Sequence, residues 1–116
     1  MNCGYIDFND AWEKIVNYAK KHKQVETLVR HVKNDIVCAD NKAIVVISSS
    51  PKDEPTKRPL KREDFNMVWN KLVSNGRVSP NDIDPKLRGR RLIILALMVQ
   101  SLNLKYNTKP NVTIYC

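Results

Sequence analysis

Three glycines in 116 residues, Gly4, Gly76 and Gly89, are too few and too far apart for a phosphate-cradling loop, and neither glycine-rich nucleotide pattern occurs. Histidine is just as scarce. His22 and His31 have no Cys, Asp or Glu at ligand spacing, so no metal centre is expected. Ser48-Ser49-Ser50 lacks the glycine frame of a nucleophile elbow. Asp35, Asp40 and Lys42 follow the acid, acid-x-Lys order of a nuclease, but a tight turn between the acids leaves no metal geometry. These absences predict a non-enzymatic chain without cofactor. Three cysteines, Cys3, Cys38 and Cys116, include no C-x-x-C pair, which excludes a zinc ribbon and a secreted disulfide framework. Reduced thiols in a cytoplasmic protein are the expectation, with a Cys3–Cys116 tie between the ends as the alternative. The longest apolar run, Leu92–Val99, has eight residues, where about 18 are needed to span a bilayer, and no basic-then-apolar leader follows Met1.

Acidic residues are scarce in one half only. Residues 1–56 carry eight Lys/Arg and eight Asp/Glu, whereas residues 57–116 carry twelve Lys/Arg against Glu63, Asp64, Asp82 and Asp84. The whole net charge of +8 therefore belongs to the second half. A basic half-domain points to an anionic polymer as partner. Aromatic residues make up 7% of the chain. Trp12 and Trp69 lie on apolar helix faces, and Tyr106 and Tyr115 alone do not make a base-stacking platform.

The apolar content of 42% supports one globular domain over residues 1–116. The spacing of Phe8, Ala11, Trp12, Ile15, Val16 and Ala19 predicts a helix capped by Asp7. Residues 24–33 suit helix or strand. Residues 35–39 and 43–48 read as a β-hairpin, and the run Ile44–Ile47 as a strand covered on both faces. Three prolines make residues 51–60 a loop between a helix-plus-hairpin subregion, 1–50, and the subregion 61–116. A second helix is expected over 62–74, stopped by Asn75-Gly76, then a short turn begun by Ser79-Pro80 with Ile83 inward. A long helix over 90–103 and a closing hairpin, or single strand, follow. The segments Asp7–Val16 and Asp64–Val73 match at six of ten positions, which two amphipathic helices reach by convergence as readily as by duplication.

The order from residue 61 on, with Asn75-Gly76-Arg77-Val78-Ser79-Pro80-Asn81-Asp82-Ile83 as its turn, resembles a winged helix-turn-helix. That resemblance implies an α+β fold in which the N-terminal helix and β-hairpin pack on a winged-helix-like C-terminal half. It also implies that Lys86, Arg88, Arg90 and Arg91 begin the recognition helix, that Lys105 and Lys109 lie in the wing, and that Arg77 flanks it. Duplex DNA, or RNA, gripped through phosphates is then the partner, and transcriptional regulation by a homodimer the implied role. One departure stands out: Leu92–Val99 is apolar all round, which suits a core helix or a dimer seam better than a groove-reading helix. A protein-interaction or assembly subunit on the same scaffold is the alternative function.

Overall fold

The computed structural model describes residues 6–48, 57–87 and 89–116. Three helices and two antiparallel sheets make a mixed α+β body. Helix α1 (Phe8–Lys21) starts where Asp7 accepts the amide N–H of Asp10 (2.9 Å), and it buries Ala11, Trp12, Ile15, Val16 and Ala19. The ambiguous stretch resolves into strand β1 (Gln24–Glu26) followed by a turn. Thr27 Oγ1 accepts Val32 N–H there (3.0 Å), and His31 takes a φ of 53°. Strands β2 (Lys33–Ala39) and β3 (Ala43–Ser48) form the expected hairpin. Asp40 closes it by accepting the N–H groups of Lys42 (2.7 Å) and Ala43 (3.0 Å), and these bonds hold its carboxyl below the usual carboxylate range.

Two readings of this region need correction. Lys57–Lys61 is strand β4, paired along β3, so the proline-rich loop does not extend over these residues. Pro59 fits because β4 is an edge strand, where a missing N–H breaks no ladder bond; the loop residues 51–56 lie outside the described residues. Strand β3 is not covered on both faces either: Ile44 and Val46 are fully buried, whereas Val45 and Ile47 are only half-buried.

Helix α2 (Arg62–Asn75) buries Phe65, Val68, Trp69 and Leu72 and ends at Gly76, whose φ of 76° is left-handed. The repeated motif enters the two helices three residues out of step. Asp7 is the N-cap of α1, while Asp64 lies inside the first turn of α2 and accepts the N–H of Lys61 (3.2 Å). Strand β5 (Arg77–Val78) leads to two 3-10 turns, Pro80–Asp82 and Pro85–Leu87, with Ile83 buried between them. After helix α3 (Arg91–Leu102) come β6 (Lys105–Asn107) and β7 (Thr113–Tyr115), an antiparallel hairpin. The second sheet has the order β5-β7-β6.

Helix α3 is the centre of the core. Ile93 to Val99 are all buried, because α3 lies against α1 and β1. Its apolar surface is satisfied within the chain, which favours a core helix over a dimer seam for Leu92–Val99; of that run only Leu92, 38% exposed, leaves the core. A radius of gyration of 13.2 Å is that of one packed body of this length. Among the described residues, no helix is long and apolar enough to cross a membrane. Cys38 is free and exposed, while Cys116 is disulfide-bonded, which corrects the expectation of reduced thiols at that position. Cys3 lies outside the described residues.

Gly89 precedes α3 with a φ of 87°, and a Cβ there would come 3.3 Å from Arg58 Nη1. Gly89→Ala will therefore lower unfolding free energy by about 1–2 kcal/mol, the cost of a left-handed L-residue, and by more than Gly76→Ala, where the space is open. Urea denaturation of both variants checks the order; a neutral Gly89→Ala would refute it.

Candidate nucleic-acid interface

A cationic feature forms where β4 runs into α2. Arg62 N–H donates to Lys42 O (2.9 Å), tying the start of α2 to the β2–β3 turn. Trp12 Nε1 donates to Asn41 O in the same turn (3.0 Å), so α1 fixes it from the other side. The Arg62 guanidinium lies 5.6 Å over the Phe8 ring and donates to Asn9 Oδ1. Between these groups opens a hollow of about 870 Å³, lined by Phe8, Asn9, Asn41, Lys42, Lys61 and Arg62 among others.

A second hollow of about 450 Å³ adjoins it, sharing Lys61, Glu63 and Asn66 and reaching Lys86 and Arg90. Its far wall is held by Arg58, whose Nη1 donates to Gly89 O (2.9 Å), and by Arg90 N–H donating to Leu87 O (2.8 Å). Together the hollows form one cleft that collects Lys42, Lys61, Arg62, Lys86 and Arg90 from the hairpin turn, β4, α2 and the approach to α3. Its acids do little to neutralise them. Asp64 is buried with its carboxylate on the Lys61 amide, leaving Glu63 exposed in the cleft and Asp84, 3.9 Å from Lys86, at its border. Among the described residues, Lys86 is the one Lys or Arg within ion-pair distance of a carboxylate.

The residues expected from the sequence separate into groups. Lys86 and Arg90 lie in the cleft. Arg91, beside them, is half-buried, with its Nε enclosed and without a hydrogen-bond partner in the structure. Arg88 lies outside the described residues. Arg77 and Lys105 are exposed at the other end of α2, where the register Arg77–Tyr115–Lys105 sets all three on one face of the second sheet. Asn107 Nδ2 donates to the Tyr115 hydroxyl on that face (3.2 Å). Lys109 is exposed in the β6–β7 turn. A helix of 14 residues is about 20 Å long, so the two cationic groups are distinct patches.

Sequence reasoning missed Lys42, Lys61 and Arg62. Their one available signal was position: each sits at the end of an element, where a turn exposes it. Neither histidine joins the cleft. His22 stacks on Tyr18 at 3.8 Å, and burial raises the Tyr18 hydroxyl above its ordinary range; His31 lies 3.6 Å from Glu26. Among the described residues, no group of three or more His, Cys, Asp or Glu could hold a metal ion. Comparison with protein families, with curated proteins and with solved structures returns no match to this chain.

Proposed function

We propose that this chain is a non-enzymatic nucleic-acid-binding module that holds the phosphate backbone of duplex DNA, or of RNA, in the Lys42–Arg90 cleft. The observation that carries the reading is the cleft itself: five cations from four elements, with one carboxylate near enough to pair with any of them. Unpaired Lys and Arg side chains in a concave site are the chemistry that displaces counterions from a polyanion. Arg62 and Arg90 add planar forks suited to phosphate oxygens.

The second half supports a winged-helix-like reading through its element order and its β5-β7-β6 sheet. In that reading β6 and β7 are the wing, and Arg77, Lys105 and Lys109 form a second, separate backbone contact. The middle of α3 has no part in base reading, because its side chains are in the core. Affinity without strong sequence preference follows, and a cytoplasmic regulatory or packaging role is the setting that fits it.

Titrating a short duplex against the protein over a series of salt concentrations tests the proposal. Five phosphate contacts predict a slope of log K against log salt of about −4.5. A slope near zero, or no binding at low salt, rejects it.

A further inference from the structure

We infer that the outer face of the four-stranded sheet is a self-association surface, on which two copies of this chain pack face to face about a two-fold axis along the strands. The order β1-β2-β3-β4 and its register divide the side chains cleanly. Val25, Asn34, Ile44, Val46 and Leu60 face inward and are buried. On the opposite face, Asp35, Ile47 and Lys57 make one row, and Cys38, Val45 and Pro59 the next.

That outer face is wrong for water. A solvated sheet face alternates to polar residues, yet the central strand β3 places Val45 and Ile47 there. A bulge between Ile36 and Cys38 adds Val37, which is 46% exposed. The result is an apolar strip bounded by Asp35 towards one edge and by Lys57 towards the other.

Charge selects the occupant and its orientation. An axis along the strands places β4 of one copy over β1 and β2 of the other, so Lys57 faces Asp35 of the second copy and the reverse contact repeats it. An axis across the strands would set Lys57 over Lys57 of the second copy. Two-fold interfaces require this kind of self-complementarity, and two sheets stack face to face about 10 Å apart with strands nearly aligned. The seam of such a dimer lies on the sheet and not on α3, whose apolar run is in the core. The inference is independent of the cleft's ligand.

Sedimentation velocity on four samples tests it: the wild-type chain, Asp35→Lys, Lys57→Asp, and an equimolar mixture of the two variants. Far-UV circular dichroism confirms that each variant is folded. The wild type is expected to dimerise in the micromolar range, as a small interface does. Each variant alone sets like charges opposite and should dissociate about tenfold more readily or stay monomeric. Mixing them restores both opposite-charge pairs and should recover the dimer. Val37→Asp, at an exposed position, should also give a monomer. A wild-type chain that remains monomeric at high concentration would overturn the inference and leave the face to some other protein. Variants that dimerise as the wild type does would overturn it equally.

Discussion

Reversing the charge of Lys61, Lys86 and Arg90 together will weaken duplex binding at about 0.1 M salt by roughly 10²- to 10³-fold, and will flatten the salt slope by about 2.7. All three line the hollow between α2 and the approach to α3, and among the described residues the one ion pair any of them makes is that of Lys86 with Asp84. Lys61 and Lys86 are exposed and Arg90 is half-exposed, so the fold should tolerate the change. The matched control is Lys14, Lys21 and Lys23 reversed to Glu, the same change in net charge at exposed positions on and after α1. General attraction to a polyanion would treat the two triples alike, whereas a cleft distinguishes them. Fluorescence anisotropy with one labelled duplex is enough to decide; equal losses would remove the cleft as the site. A third triple, Arg77, Lys105 and Lys109, asks whether the second patch touches the same duplex.

Leu95→Ala will cost about 2–5 kcal/mol of unfolding free energy, while Leu92→Ala, three residues earlier on the same helix, will cost less than about 1. Leu95 is fully buried on a helix packed against α1 and β1, and its truncation leaves a cavity in that core. Leu92 is 38% exposed and loses little. Urea denaturation monitored by tryptophan fluorescence reports both, since Trp12 and Trp69 lie in the same core. Similar small effects at the two sites would mean that α3 is not the core helix, and a groove-facing role for it would return.

Much of the architecture was legible because local chemistry dictates it. Asp7, the 3.6-residue spacing of Ala11 to Ala19, and the left-handed turn at Gly76 act within a few residues of chain. The Asp40–Ala43 turn and the Ser79-Pro80 start are equally local. β4 was hidden because Pro59 and four Lys or Arg neighbours describe a loop as well as a guarded edge strand, and only its pairing with β3 separates the two. The apolar run of α3 was readable as buried, but not what buries it: α1 and β1 lie more than sixty residues earlier in the chain.

By itself, then, the sequence determined the three helices and the β2–β3 hairpin, most of the apolar set that must leave water, and the placement of all surplus positive charge after residue 56. Tertiary structure alone decided which cations meet. It joins Lys42 of the neutral half to Lys61, Arg62, Lys86 and Arg90, and sends Arg77 and Lys105 to the far end of α2. The physical reason is range. Caps, turns and amphipathic periods depend on neighbours along the chain, whereas an electrostatic site depends on distances that only packing sets.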